Sequence, residues 1–228
     1  MSLPVEIVVA LIVWGTLVGV DLVSLPQMMI ARPLVAGTVA GAILGDIETG
    51  LQLGVVFELL QYDILPVGAV RYPEYGPATV AAVATAHASS GVLGLGLGAL
   101  VGLVTGLIGG ITIHVLRRLN SSAVHAAAAT LESGDPRALL RLHLGAMLRD
   151  GVRAALVTAV GLGLAAIARP LLAGGLSLRD ATLLAIAAAA SALAAGAAGT
   201  LRLVGRGPNL TWFAAGLGGG IVAAAWLR

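Results

Sequence analysis

The chain has no cysteine and no lysine, and only eight aromatic residues among 228. The missing cysteines exclude a disulfide framework, a thiolate metal site and a cysteine nucleophile together. Without lysine, all thirteen basic residues are arginines. The pI near 9.7 therefore reflects arginine set around apolar segments, and no basic stripe interleaved with exposed aromatics points to a nucleic-acid partner. Charge is scarce too: 11% of residues are charged against 58% hydrophobic, where soluble domains carry about 25% and about 45–50%. Together with a mean hydropathy of +1.00, this excludes an ordinary soluble domain. It predicts an all-α integral membrane protein, a polytopic helical bundle forming one transmembrane domain over residues 1–228. At about 20 residues per spanning helix there is room for about six to eight membrane-entering segments. No Walker A loop, GxSxG elbow or HExxH motif occurs, so no catalytic residue and no cofactor is expected. Met1-Ser2-Leu3-Pro4-Val5-Glu6 lacks the positive stretch of a cleavable signal, and the first apolar run is expected to be retained.

That run, Val5 to Leu25, carries Asp21 near its end and stops at Pro26. From Pro33 to Val70 high hydropathy is cut by Gly45-Asp46-Ile47-Glu48-Thr49-Gly50, Gln61-Tyr62-Asp63 and Pro66-Val67-Gly68. The arms between are about 12 and about 10 residues, too short to cross about 30 Å of hydrocarbon, and predict a re-entrant hairpin or broken helices over about 33–70. Transporters place substrate sites at such breaks. Gly94, Gly98, Gly102, Gly106 and Gly110 recur every fourth residue. They form a bare helix face, read either as static close packing, which we favour, or as a sliding or oligomer-forming surface. Arg117 to Arg153 holds six arginines around the turn Ser133-Gly134-Asp135-Pro136 and predicts a helical hairpin outside the bilayer. Apolar stretches follow near Ala154 to Leu172, Ala181 to Gly199 and Thr211 to Leu227. If the arginine segment is cytoplasmic, Arg202 and Arg206 join it while Arg169, Arg179 and Arg228 lie outside, and the asymmetry obeys the positive-inside rule.

Asp21, Asp46, Glu48, Glu58 and Asp63 lie in or beside membrane segments. Each would cost about 2.5–3.5 kcal/mol facing lipid at a helix centre, so they face protein, water or substrate. For Asp46 and Glu48, capping a hairpin tip competes with function. Glu58 sits mid-run in Val55-Val56-Phe57-Glu58-Leu59-Leu60, which favours a ligand-contacting or coupling role. Phe57, Tyr62, Tyr72 and Tyr75 fall close to Glu58, Gln61, Asp63, Arg71 and Glu74. Ring faces with carboxylates, an amide and guanidinium suit a neutral polyol; an interfacial aromatic belt is the alternative. His87 and His114 have no second metal ligand one turn away, so no metal is expected, and His125 and His143 read as a solvated face.

Arg32-Pro33-Leu34-Val35-Ala36-Gly37, Ile43-Leu44-Gly45-Asp46, Thr49-Gly50-Leu51, Gly54, Glu58-Leu59, Leu65-Pro66-Val67-Gly68-Ala69 and Pro73-Glu74 closely resemble the IIC membrane component of the mannose/fructose/sorbose family of the bacterial sugar phosphotransferase system (PTS). His125-Ala126-Ala127, Arg141-Leu142-His143 and Arg149-Asp150-Gly151-Val152-Arg153 extend the likeness from about residue 10 to about residue 200.

The resemblance implies a multi-pass permease subunit of the bacterial inner membrane. It would bind and move a hexose or hexosamine, assemble with a IID membrane subunit, and be served by cytoplasmic IIA and IIB phosphotransfer proteins. It also implies a trimeric core, to which the glycine face could contribute oligomer contacts. Carried over position by position, sugar contact falls to Asp21, Gln27 and Glu58. Gln61-Tyr62-Asp63 and Arg71-Tyr72 depart from the family's more neutral pattern, so Tyr62, Asp63 and Arg71 join the candidate substrate-binding residues and point toward an amino or acid sugar. No C-terminal tail for partners is expected. The alternative is a non-transporting sugar-sensing or scaffold module derived from the same family.

The charge bias gives a direct test. Arg137→Cys, in a chain without other cysteines, is expected to stay unlabelled by a membrane-impermeant thiol reagent applied to intact cells. Labelling from outside would invert the topology.

Overall fold

The computed structural model describes residues 3–62, 64, 70–87, 89, 91–204, 211 and 215. Asp63, the Leu65 to Ala69 break, and the last apolar run except Thr211 and Ala215 lie outside the described residues. The elements are α1 (Val5–Asp21), α2 (Pro33–Leu44), α3 (Ile47–Gln61), α4 (Tyr75–Ala86), α5 (Val92–Ala126), α6 (Ala128–Glu132) and α7 (Pro136–Pro170), then a π-helical turn (Leu171–Gly175) and α8 (Leu178–Val204). Among the described residues, three helices are long and apolar enough to cross a membrane, over Val92–Ala126, Pro136–Pro170 and Leu178–Ala198. The all-helical membrane bundle expected from composition is the observed fold.

α2 and α3 form an antiparallel hairpin. Pro33 opens α2, where a missing N–H costs nothing. Gly45, at φ +75°, ends it in the left-handed conformation, and the Asp46 N–H donates to Gly41 O at 2.7 Å. The Asp46 carboxylate then caps α3 by accepting from the Thr49 N–H at 3.2 Å. One Gly-Asp pair thus stops a helix and starts the next, and the hairpin folds back with almost no loop. Capping is the observed role of Asp46, while Glu48 accepts from Gln52 Nε2 at 3.3 Å. Bare backbones then meet: a methyl on Gly37 would lie 2.5 Å from Gly50 O, and one on Gly41 the same distance from Asp46 O. With 12 and 15 residues the two arms rise about 18 and about 22 Å, less than the hydrocarbon thickness.

α4 is buried at all twelve positions and consists of Ala, Thr, Val, Gly and Pro after Tyr75. It packs against α1, α2, α3, α5 and α7. Its neighbours come close because they too are bare. A methyl on Gly98 would meet Ala82 O at 2.7 Å, one on Gly106 would touch Ala78, and one on Gly102 would strike Ala82 and the Phe57 ring. Gly94 and Gly110 abut the backbone of Ala86 and Tyr72 in the same way. All five glycines of the four-residue ladder therefore face α4 and its flanks. This is static packing within one chain, the reading favoured from sequence, and the ladder's face is taken up by α4 and its flanks rather than left for oligomer contacts.

The buried hydroxyls of Thr79, Thr85, Thr105 and Thr158 each donate to the carbonyl four residues earlier, at 2.6–2.9 Å. Polarity on these faces is satisfied inside each helix. Outward, Val5, Val9, Val13 and Leu17 of α1 and Leu178, Leu183, Ile186 and Leu193 of α8 are exposed, as a lipid-facing surface requires.

Gly50→Val forces a side chain onto Gly37 O and is expected to destabilise the protein by at least about 1–3 kcal/mol. Gly163→Ala, with open space around it, is expected to be neutral or to stabilise by up to about 1 kcal/mol. Thermal unfolding of the two variants in detergent checks the contrast.

Candidate functional site

α1 ends at Asp21, and eleven residues, 22–32, lead to α2. That connection is organised by acids. The buried Asp21 carboxylate accepts the Met28 N–H at 2.8 Å and the Ala31 N–H at 3.0 Å. Between those donors Met29 adopts φ +64°, a left-handed turn that a non-glycine residue holds only when its surroundings fix it. From the other side Glu58 of α3 accepts the Leu34 N–H at 3.2 Å and pairs with Arg32. The Leu34 N–H is one of the unpaired donors of the first turn of α2, so a carboxylate there also meets the positive end of the helix dipole. Glu58 thus ties the open end of the hairpin whose tip is at Gly45-Asp46.

Asp21, Gln27 and Glu58, which resemblance put forward as sugar contacts, converge on this one segment. Gln27 is exposed, with Nε2 3.5 Å from Leu22 O. Tyr62 follows α3 and is exposed, and Arg71 is exposed on the extended stretch before α4. Neither side chain bonds to the segment. Asp63 lies outside the described residues. Of the four rings grouped near Glu58, Phe57, Tyr72 and Tyr75 are buried. Phe57 and Tyr75 pack with centroids 5.7 Å apart, and the Tyr72 hydroxyl accepts from Arg117 at 3.4 Å. These three serve the core, neither as open sugar platforms nor as an interfacial belt.

A crevice beside the segment is walled by Val18, Leu22, Ala31, Gln61 and the residues from Tyr72 to Pro77, and holds about 10 Å³ of water-accessible space. That is room for about one water molecule. In this conformation the crevice is shut to a hexose.

Behind it lies a charge network that sequence reasoning missed as a unit. Arg153 of α7 donates through Nη1 to Glu74 Oε2 at 2.5 Å and through Nη2 to Glu74 Oε1 at 2.8 Å, a bidentate pair. Its Nε donates to Asp150 Oδ1 at 2.8 Å, and Nη1 reaches Thr112 Oγ1 at 3.3 Å. Ser24 Oγ, in the α1–α2 connection, donates to the other Asp150 oxygen. Glu74 and Asp150 are each 1% exposed and Arg153 8%. The Glu74 N–H donates to Gly106 O at 2.9 Å, and Gly109 leaves room for the carboxylate, since a methyl there would lie 2.7 Å from Oε2. Pro73-Glu74 and Arg149 to Arg153 both belong to the stretches that carry the family resemblance. That was the available signal; their distance in sequence hid the pairing.

A family model described as the PTS system sorbose-specific IIC component matches residues 5–217. The chain belongs to this family. It is therefore a phosphotransferase-system IIC component and an integral protein of the inner membrane. The sorbose-specific EIIC component of Lacticaseibacillus casei is 26% identical over 67% of this chain and 54% of that protein. The mannose-specific EIIC component of Escherichia coli K12 is 24% identical over 58% of this chain and 49% of that protein. The fructose permease IIC component of Bacillus subtilis 168 is 26% identical over 67% and 56%. The chain spans about half the length of the curated relatives it matches. Two solved structures share the fold of this IIC chain. One is described only as a membrane protein, with a TM-score of 0.71 and 18% identity over 99% of this chain and 96% of that one. The other is the mannose transporter ManYZ in complex with microcin E492, with a TM-score of 0.55 and 19% identity over 99% and 88%.

Arg153→Met leaves two buried carboxylates without their cation and is expected to cost about 3–5 kcal/mol. Removing all the charges together, in R153M/E74Q/D150N, is expected to cost less than R153M alone. Thermal unfolding of the purified variants decides; a triple variant less stable than the single one would show that the charges act independently.

Proposed function

We propose that this IIC chain binds a hexose or hexosamine at the segment between α1 and α2 and moves it across the inner membrane. A IID membrane subunit would complete the translocation unit, and cytoplasmic IIA and IIB proteins would deliver phosphate to the sugar. The observation that carries this reading is the convergence of two carboxylates, Asp21 and Glu58, on one short stretch that also carries the exposed Gln27. An ionised carboxylate has about four lone-pair positions. Glu58 spends part of them on Leu34 and Arg32 and keeps acceptor capacity for sugar hydroxyls. Gln27 adds an amide donor and acceptor. Asp21 is buried, with each oxygen accepting one backbone N–H, and acts by holding the segment in shape. Tyr62, Asp63 and Arg71 would form the rim. The re-entrant reading of 33–70 and the cytoplasmic placement of 117–153 belong to the same proposal, with that cytoplasmic hairpin as the dock for IIB and a trimeric core as the assembled state.

Such a site works by rearrangement. The crevice admits about one water molecule, so sugar entry requires the α1–α2 segment and the Gln61 end of α3 to separate from Tyr72 to Pro77.

The test is equilibrium binding of labelled mannose, fructose, glucosamine and N-acetyl-hexosamines to the chain purified with its IID partner. Glu58→Gln keeps the shape and removes the charge. It is expected to weaken binding of the preferred sugar by about 10- to 100-fold, the range for losing a hydrogen bond to a charged group. Unchanged affinity would reject Glu58 as the sugar contact. No saturable binding by folded wild-type complex would favour the sensing or scaffold module instead.

A further inference from the structure

On the outer side of α5 a second cavity, of about 430 Å³, lies between that helix and the extended stretch leading to α4. Its wall is graded. Leu107 and Ile111 line the part nearer the middle of α5; His114 and Arg118 line the part nearer its polar end, and Arg71 and Tyr72 close it from the other side. Among the described residues no carboxylate lines it. Arg71 and Arg118 are exposed, and among the described residues neither forms a hydrogen bond or ion pair. Arg117, their neighbour, is by contrast committed: it donates to Val70 O at 3.0 Å and to the Tyr72 hydroxyl, and lies 5.6 Å from the Tyr72 ring centre. Arg117 thereby pins the extended stretch onto α5, and Gly110 allows the Tyr72 carbonyl to reach the helix backbone. The two free guanidinium groups are held on the two sides of one groove by contacts that do not use them.

From Leu107 to Arg118 α5 rises about 16 Å, passing from the exposed apolar Leu107 and Ile111 to the Arg117-Arg118 pair where the polar segment begins. A binding surface that changes from apolar to basic along the membrane normal fits an amphiphile with an anionic head. We propose that the groove seats an acidic phospholipid, its phosphate between Arg71 and Arg118 and an acyl chain along Leu107 and Ile111. Guanidinium forks bind phosphate oxygens in pairs, and basic clefts at the ends of membrane helices recognise acidic headgroups.

The proposal shares Arg71 with the rim of the sugar reading but rests on the groove along α5, and its test uses no sugar. The full chain, purified in detergent, is offered equal amounts of phosphatidylglycerol and phosphatidylcholine with matched acyl chains, and the retained lipids are counted by native mass spectrometry. Wild type is expected to retain phosphatidylglycerol about tenfold over phosphatidylcholine. R71Q/R118Q is expected to fall close to equal retention, whereas R137Q/R141Q, which removes the same charge elsewhere, keeps the wild-type ratio. Because the ratio is taken within each preparation, the yield of folded protein does not enter. Equal retention by wild type, or equal loss in both double variants, would overturn the proposal. Displacement of phosphatidylglycerol by millimolar inorganic phosphate would also overturn it, by showing that the groove reads the anion alone.

Discussion

The Arg153 guanidinium is the point at which four otherwise separate parts of the chain are joined. It grips Glu74 at the head of α4 and Asp150 one turn away on α7, touches Thr112 on α5, and reaches the α1–α2 connection through Asp150 and Ser24. Two carboxylates and one guanidinium sit where water is excluded, so the arrangement depends on every lone pair and N–H finding its partner. Its value is positional. Hydrophobic packing alone would let small-residue helices settle in several registers, whereas a bidentate pair accepts one.

Around that fixed point the fold is built from the absence of side chains. α4 carries nothing larger than valine after Tyr75, and the faces of α2, α3 and α5 turned toward the interior are rich in glycine. In lipid, where apolar burial between helices gives little driving force, close backbone approach is what remains to hold them. α4 is also bracketed by charge. Glu74 precedes its first turn, and Arg169 donates through Nη2 to Ala84 O at 2.5 Å near its last, each sign opposite to the local end of the helix dipole.

The membrane class, the helical fold, the family and the short α2–α3 pair were legible in the sequence, because each rests on local composition or spacing: long apolar runs, a Gly-Asp stop between them, a four-residue glycine ladder. The ladder's partner was not legible. A bare face shows that something comes close and leaves open whether it is another copy or the chain's own α4. The aromatic residues near Glu58 misled for a similar reason. Their clustering in sequence is compatible with an open platform, but Phe57 is buried while Tyr62, five residues on, is exposed, and periodicity over so short a stretch does not say which face is inside. Asp150 and Arg153 looked like members of a solvated basic segment. Only the return of α7 alongside α4 brings Glu74, more than seventy residues away, into reach. For Asp21 and Glu58, family resemblance supplied the positions, and the structure adds that both serve the same α1–α2 connection.

α7 runs unbroken for 35 residues from Pro136 to Pro170, a rod about 52 Å long against a hydrocarbon layer of about 30 Å. Asp150 and Arg153 lie near its midpoint, where the polar half meets the apolar half. A hydrogen-bonded helix does not kink sharply without a defect in its ladder, so its two halves tilt together like a lever with the ion pairs near the fulcrum. Any force on the arginine-rich end is therefore felt at the head of α4 and, through Ser24, at the segment that Asp21 and Glu58 hold, with no intervening loop to absorb it.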